Sequence, residues 1–273
     1  MKLLIPIDFT PVTENALNYG VQLEPAKEVL IFHVVNSEAE QSKALERLEA
    51  LAEKYRPTFN GTLATSVRVG NIFDHIGEEA LNSHCDLIVM GTHGISGMQH
   101  FLGSRAMKVI TNSKTPYIVV QKKPFRPIKK ILVPVDFTKE SKQVIPFLST
   151  IAKLFGAGLL LSPQDPGKDE FIKNKIDNNT LYFKNALASL GVTPEVLSQN
   201  FNFDKRHKSI VEVAVKNNAD MIVTAIDPKV DVVDYIMGVE EQKIVANEEQ
   251  IPVLCINTRN FTRFVGSIFE GSA

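Results

Sequence analysis

One nine-residue segment occurs twice in this chain, and the repeat limits the available folds more than any other feature. Residues 2–10 read KLLIPIDFT, and residues 130–138 read KILVPVDFT. The run DLIVM at 86–90 is repeated in the same way as DMIVT at 220–224. Because a sequence pattern that recurs usually marks a structural unit that recurs, the chain is predicted to contain two related domains in tandem.

The repeat and the proline-containing segment between its copies also predict the domain bounds. We expect a first domain over residues 1–123, a linker over 124–128, a second domain over 129–257 and a C-terminal tail over 258–273. The basic side chains around the linker are interpreted as solvated. A net charge of −1 gives the whole chain no attraction to nucleic acid or to an anionic membrane.

Apolar runs of strand length alternate with segments of helical periodicity, which indicates a parallel sheet covered by helices. In the first copy, strands are predicted over residues 3–7, 29–35, 63–69, 87–90 and 117–120. Helices are predicted from Thr10 and Pro11 onward and over 38–56, 72–82 and 103–112. The predicted fold class is α/β, with two tandem five-stranded, Rossmann-like domains.

A glycine-rich loop follows the fourth predicted strand of the first copy. The apolar run 87–90 leads into Gly91, Gly94 and Gly97, and the pair Gly103-Ser104 then opens a second apolar-periodic stretch. Glycines allow a close approach of backbone N–H groups to a ligand, and a helix N-terminus favours an anion. The loop is therefore a candidate phosphate site, and a tight turn without a ligand remains the alternative.

Composition excludes several other classes of protein. The N-terminus shows no signal peptide and no apolar run reaches membrane-spanning length, so a cytoplasmic location is expected. Cys85 and Cys255 lie beside or within apolar runs and are predicted to be buried free thiols. The histidines and cysteines lack metal-ligand spacing. His33, in the middle of an apolar run, is predicted to be a hydrogen-bonded structural residue.

The motif Pro6-x-Asp8 after the first strand, together with Gly91-x-x-Gly94 and Gly103-Ser104, resembles the universal stress protein family. The likeness extends over about residues 1–257, in two copies. The resemblance implies an adenine nucleotide alpha hydrolase-like fold with strand order 3-2-1-4-5. It also implies a site for ATP, ADP or AMP, with or without Mg²⁺.

The resemblance assigns site residues position by position. Asp8 would contact adenine or ribose, the backbone near Val34 the adenine, and Met90–Gly91 the ribose. The complete implied nucleotide-binding set is Pro6, Asp8, Thr10, Val34, Met90, Gly91, His93, Gly94, Gly103, Ser104, Arg105 and Ala106. Asp8 could instead cap the first helix, and His93 could be merely exposed. Eight residues separate Gly94 from Gly103, one fewer than in the family pattern.

The second copy keeps the predicted strands but changes the loop. Ala225, Asp227 and Pro228 stand at the positions of Gly91, His93 and Gly94, and Val239 replaces Ser104. We expect no nucleotide there, and a neutral or cationic ligand held by Asp136 and Asp227 remains the alternative. The apolar last strands of the two copies would otherwise expose edges, so they are expected to pair in an intramolecular pseudo-dimer.

Three functions remain open at this stage. The first is a regulatory or stress-response protein that binds a nucleotide with slow or no turnover and acts on an unknown protein client. The second is a slow ATP-hydrolysing enzyme, for which the chain offers no Gly-x-x-x-x-Gly-Lys-Ser/Thr motif. The third is an interaction module without a nucleotide. A homodimer is compatible with each of them.

Overall fold

The computed structural model describes residues 1–92, 113–198, 200–202, 205–226 and 239–257. Strands and helices alternate through both halves of the chain. The strands of the first half are β1 (Lys2–Pro6), β2 (Glu28–Val35), β3 (Thr62–Val69), β4 (Leu87–Gly91) and β5 (Tyr117–Val120). Its described helices are α1 (Pro11–Gln22), α2 (Glu38–Tyr55) and α3 (Ile72–Asn82). The helix predicted over 103–112 lies outside the described residues.

The second half repeats this order of elements. Its strands are β6 (Lys130–Val135), β7 (Gly158–Pro163), β8 (Glu195–Val196), β9 (Met221–Ile226) and β10 (Val253–Asn257). Its helices are α4 (Ile145–Phe155), α5 (Glu170–Ser189), α6 (Arg206–Lys216) and α7 (Val239–Val245), and a 3-10 turn at Glu140–Val144 precedes α4.

All ten of these strands form one sheet, in the order β3-β2-β1-β4-β5-β10-β9-β6-β7-β8. The pairs within each half are parallel. The first half therefore has the strand order 3-2-1-4-5, which confirms the predicted fold. Counted from its own first strand, the second half has the same order.

The two halves meet through their last strands. β5 and β10 pair antiparallel, with Ile118 opposite Leu254 and Tyr117 opposite Cys255. Each of these strands is fully buried, because it has a neighbouring strand on both sides and its side chains belong to the two apolar clusters of the sheet. The expected pairing of the two apolar edges is thus confirmed in the register of the sheet.

Helices cover both faces of the sheet with apolar side chains. On one face, Leu17 of α1 and Phe147 of α4 belong to one continuous apolar cluster that spans both halves. On the other face, Ile76 of α3 and Ile210 of α6 belong to a second cluster that also spans both halves. None of the described helices combines the length and the hydrophobicity that crossing a membrane requires.

The aspartate that opens each repeated strand motif has a structural role. Asp86 accepts a hydrogen bond of 2.7 Å from the backbone N–H of Lys2 through Oδ2. Asp220 accepts in the same way from the N–H groups of Lys129 and Lys130, at 2.8 and 2.9 Å. Each carboxylate therefore fixes the start of the first strand of its half beside the start of the fourth.

Candidate functional site

The carboxyl ends of β1 and β4 border a narrow crevice in the first half. These strands are parallel neighbours, and the strand order runs outward from them in both directions. They mark the switch point at which open α/β sheets bind ligands. The crevice is lined by Pro6, Ile7, Asp8, Thr13, Ile72, Ile76, Met90 and Gly91.

The carboxylate of Asp8 is held in place by the turn that follows β1. Its Oδ1 accepts from the backbone N–H of Thr10 at 2.9 Å, from the Thr10 hydroxyl at 2.6 Å and from the Thr13 hydroxyl at 2.7 Å. The second oxygen, Oδ2, has no hydrogen-bond partner among the described residues. Among the described residues, the protein thus fixes one oxygen of Asp8 and leaves the other unpaired at the crevice.

Thr10 occupies the N-cap position of α1, as predicted, but its side chain does not cap the helix. The hydroxyl donates to Asp8 instead, while the backbone carbonyl of Thr10 accepts from the N–H groups of Thr13 and Glu14. Pro11 then begins the helix with its preset φ. The carboxylate of Asp8 thus organises the helix start and also borders the crevice, and its contact with a nucleotide stays a prediction.

Phe9 has an unusual backbone conformation beside this carboxylate, with φ of 63° in the left-handed region. The Arg47 guanidinium lies 3.8 Å from the centre of its ring, and His33 meets the ring edge-on at 5.0 Å between centroids. His33 Nδ1 in turn lies 2.6 Å from the carbonyl oxygen of Ile7. His33 is therefore the hydrogen-bonded structural residue that the sequence predicted, and these contacts hold the strained turn in place.

Gly91 is required by packing within the protein. A Cβ atom at this position would lie 2.5 Å from the carbonyl oxygen of Val12 and 3.2 Å from Cα of Thr13. The end of β4 thus lies directly against the first turn of α1. In the second half Ala225 stands at this position, and the first α-helix there begins only at Ile145, after a 3-10 turn.

The structure brings together four of the predicted site residues, namely Pro6, Asp8, Met90 and Gly91, around the crevice. Thr10 contacts Asp8 directly. Val34 lies at the end of β2, half-buried, and packs against the same apolar layer as Met90. The remaining predicted residues, which are His93, Gly94, Gly103, Ser104, Arg105 and Ala106, lie outside the described residues.

Several residues at the crevice were missed by the sequence analysis. Thr13 contributes a hydroxyl to Asp8, and Ile72 and Ile76 form the wall on the α3 side. Ile72 and Ile76 are spaced by one helical turn. This spacing predicts that they share a buried helix face, but it does not predict which strands that face packs against. No group of three His, Cys, Asp or Glu side chains in the described part of the chain is arranged to hold a metal ion.

The second half has the same turn after its first strand, but different side chains hydrogen-bond to it. Asp136 Oδ1 accepts from the N–H and hydroxyl of Thr138 at the same 2.9 and 2.6 Å. Ser141, at the position of Thr13, donates instead to the Thr138 carbonyl. The side-chain amide of Asn179 on α5 donates to the backbone carbonyls of Asp136 and Thr138, both at 2.8 Å. The turn is thus retained, while its surroundings differ.

Comparison with known proteins identifies the family of the first half. Residues 1–121 match the model of the universal stress protein family. A curated universal stress protein from Methanocaldococcus jannaschii is 28% identical in an alignment 143 residues long. The match covers 44% of this chain and 82% of that protein. Residues 1–121 are therefore a universal stress protein domain.

Solved structures with the same fold extend over almost the whole chain. A universal stress protein from Archaeoglobus fulgidus superposes with a TM-score of 0.69 at 17% identity, covering 94% of this chain and 98% of that one. A functionally unknown protein from Pseudomonas aeruginosa PAO1 gives a TM-score of 0.63 at 17% identity, with 98% and 95% covered. The fold is thus shared with a solved universal stress protein over 94% of this chain.

Proposed function

We propose that the first half of this protein binds an adenine nucleotide at the carboxyl ends of β1 and β4. The observation that carries the proposal is the geometry of Asp8, whose Oδ1 is fixed by three donors while Oδ2 has no partner among the described residues. A carboxylate oriented in this way can accept a hydrogen bond from a ribose hydroxyl or an adenine amine without further ordering.

The surroundings of Asp8 suit the apolar faces of a base and a ribose. Ile72, Ile76 and Met90 line the crevice, and the half-buried Val34 lies at the end of the neighbouring strand β2. In the proposed pose, the backbone near Val34 contacts the adenine, and Met90–Gly91 contacts the ribose. The family of the first half and the position at the switch point support this assignment.

The phosphates are assigned to the glycine-rich loop beyond β4. Gly94, Gly103 and Ser104, with the N–H groups of Arg105 and Ala106, would hold them at the helix start that the sequence predicts, and His93 would add a donor. Where ATP is bound with Mg²⁺, the ion would neutralise part of the phosphate charge. This placement rests on the glycine spacing and on the family resemblance.

The second half is proposed to lack this nucleotide site. Pro228, at the position of Gly94, has no N–H group to donate, and Val239 lacks the hydroxyl of Ser104. Asp227 would place a negative charge close to the phosphates. One nucleotide per chain follows, in a protein whose role is regulatory and whose bound state is recognised by a protein client.

Calorimetry with two matched variants tests the proposal. Asp8→Ala and Asp136→Ala remove the same carboxylate, with the same two contacts to the following threonine, from the two halves. ATP, ADP and AMP should bind the parent chain, and Asp8→Ala should weaken the binding by about tenfold or more, the loss of a charged hydrogen bond.

The control and a loop variant complete the test. Asp136→Ala should bind nucleotide as the parent does, and Gly103→Val should abolish binding because a β-branched side chain blocks the backbone approach. Equal binding by the parent and Asp8→Ala would contradict the assignment of the site. Absence of any binding to the parent chain would favour the interaction-module alternative.

A further inference from the structure

A cavity of about 170 Å³ lies at the junction of the two halves, beside the β5–β10 pair. Part of its wall is the segment that leaves β5, with Lys123 and Arg126. Another part belongs to the second half and includes Asp220, just before β9, and the turn 249–252 that leads into β10. The cavity thus lies at the amino ends of the second-half strands, at the opposite edge from the turn that follows β6.

The segment that leaves β5 is fixed on two sides. The side-chain amide of Asn15 on α1 donates to the backbone carbonyls of Gln121 and Lys123, at 2.7 and 3.0 Å. The ammonium group of Lys123 donates to the backbone carbonyl of Glu249 in the second half. The cavity is therefore formed by elements that the folded chain already holds together.

Tyr19 of α1 lines this cavity from the buried side. The residue is 2% exposed, and its hydroxyl has no hydrogen-bond partner among the described residues. Phe125 meets the Tyr19 ring edge-on at 4.9 Å between centroids. Burial and the negative charge of Asp220 raise the pKa of Tyr19, so the hydroxyl stays neutral and can donate as well as accept. Because buried hydroxyls are normally paired, this one indicates a polar occupant of the cavity.

Two charged groups of the cavity wall are also available to such an occupant. Asp220 is half-buried, and its Oδ2 accepts from the backbone N–H groups of Lys129 and Lys130, whereas its Oδ1 accepts from no described residue. Arg126 is exposed, and its guanidinium forms no ion pair with a described carboxylate. The negative charge thus lies toward the buried part of the cavity and a positive charge toward the exposed part.

The size and the charge of the cavity limit the class of molecule that it can take. A cavity of about 150 Å³ accommodates a molecule as large as benzene. Lys123 and Arg126 are balanced by Asp220 and Glu249, so a simple anion or a simple cation would meet like charges as well as opposite ones. A small molecule with one charge of each sign at separate ends suits this arrangement.

We propose that this cavity binds a small zwitterion, an amino acid with a short apolar side chain. Its ammonium group donates to Asp220 Oδ1 and to the Tyr19 hydroxyl oxygen, and its carboxylate accepts from the Arg126 guanidinium. The apolar side chain lies against Val120 and Ile251, which line the same cavity. Because both halves contribute to the site, the bound molecule stabilises their junction.

Methyl NMR of the full chain, titrated with L-valine, tests this site. The δ1 methyl group of Ile251 reports on the cavity, and that of Ile76 reports on the separate crevice after β1. L-valine should shift Ile251 in a saturable manner and leave Ile76 unchanged. The outcome does not depend on whether the crevice binds a nucleotide.

Two analogues of L-valine separate the contributions of its charges. Isobutylamine has the same skeleton without the carboxylate, and isovalerate has it without the ammonium group. Each loses a charge-assisted hydrogen bond, so each should require about tenfold or more higher concentration than L-valine to shift Ile251.

Three variants link the shifts to the wall of the cavity. Arg126→Gln should weaken L-valine binding about tenfold, and Tyr19→Phe should weaken it roughly three- to tenfold. Lys122→Gln is the control for Arg126→Gln, because it removes the same charge from a neighbouring exposed residue that does not line the cavity. It should bind as the parent does. Without ligand, Tyr19→Phe should keep the parent's melting temperature, since the hydroxyl that it removes is unpaired.

Four results would overturn the proposal. L-valine at millimolar concentration could leave Ile251 unshifted, which would mean that the cavity holds only water. Isobutylamine or isovalerate could bind as tightly as L-valine. The affinity could be unchanged in both Arg126→Gln and Tyr19→Phe, or reduced equally in Lys122→Gln. The melting temperature of Tyr19→Phe could fall, which would mean that the hydroxyl has a partner within the protein.

Discussion

The side-chain amide of Gln121 donates a buried hydrogen bond of 2.9 Å to the backbone carbonyl of Asn247, a residue of the other half of the chain. Asn15 of α1 holds Gln121 from the other side, with its side-chain amide 2.7 Å from the Gln121 carbonyl. Asn247 is itself fixed by side-chain contacts to the backbone of Ile244 and Ile251. The junction between the halves is thus a polar network beside the β5–β10 pair.

Replacing Gln121 by leucine should lower the free energy of unfolding by about 1 kcal/mol, because the buried carbonyl of Asn247 loses one of its two donors and keeps only the backbone N–H of Gln250. Urea denaturation of the full chain measures the change. Gln22→Leu is the matched control, since Gln22 makes only an exposed side-chain contact to the Asn18 carbonyl, and it should stay within about 0.5 kcal/mol. Equal effects of both variants would mean that the contact across the junction is unimportant.

The two halves are expected to depend on each other for solubility. Residues 1–123 and 129–257, produced separately, would expose β5 and β10 as apolar edge strands. Size-exclusion chromatography should show that the two fragments associate when mixed or aggregate when alone. Two monomeric fragments of normal stability would contradict this account of the junction.

Gly91→Ala should destabilise the protein by about 1–3 kcal/mol, because the new methyl group would lie 2.5 Å from the Val12 carbonyl oxygen. Thermal unfolding of the full chain measures the loss. Gly158→Ala is a matched control at a strand position, where the nearest atom, the Lys129 carbonyl oxygen, is 3.8 Å from the added carbon. A Gly91→Ala variant as stable as Gly158→Ala would show that α1 can move away from β4.

Much of the fold follows from the spacing of apolar residues. The runs around Leu3 and Leu87 predicted strands close to their observed bounds, because parallel strands buried on both faces are apolar at nearly every position. The β5–β10 pair was predictable as well, because two apolar edge strands need partners.

The details of the crevice depend on tertiary contacts that a single sequence does not specify. The glycine at position 91 suggested a close approach of a ligand, yet its immediate neighbour is the first turn of α1. The contact of Arg47 with Phe9 joins residues 38 positions apart through α2 packing, and no local pattern marks it. Thr10 matched the N-cap pattern, but its hydroxyl donates to the carboxylate of Asp8 and not to the helix.

The two thiols are predicted to be unreactive in the folded protein. Both are free and buried, and burial raises the pKa of Cys85 from 9.0 to about 12 and raises the pKa of Cys255 as well. Because the thiolate is the reactive form, a thiol reagent at pH 8 should label neither residue until urea is added, when both should react. Rapid labelling in native buffer would show that the protein opens locally at β4 or β10.

The raised pKa of Cys85 determines the direction in which the stability of the protein changes with pH. The unfolded chain releases the Cys85 proton near 9.0, whereas the folded chain retains it to about 12. The contribution of Cys85 to stability is therefore fully present below pH 9 and is lost as the pH rises through this window. Cys85→Ala should reduce the loss of stability between pH 8 and pH 11, as measured by urea denaturation, and an unchanged loss would contradict the assignment.

Nucleotide carried through purification tests the central claim most directly. The full chain, purified without added nucleotide, is heated to release bound molecules, which are separated and quantified by chromatography. The account predicts an adenine nucleotide at up to one per chain, retained by Asp136→Ala and lost from Asp8→Ala. No nucleotide in the purified chain and none bound after incubation with ATP, or two per chain with the second lost on Asp136→Ala, would contradict it.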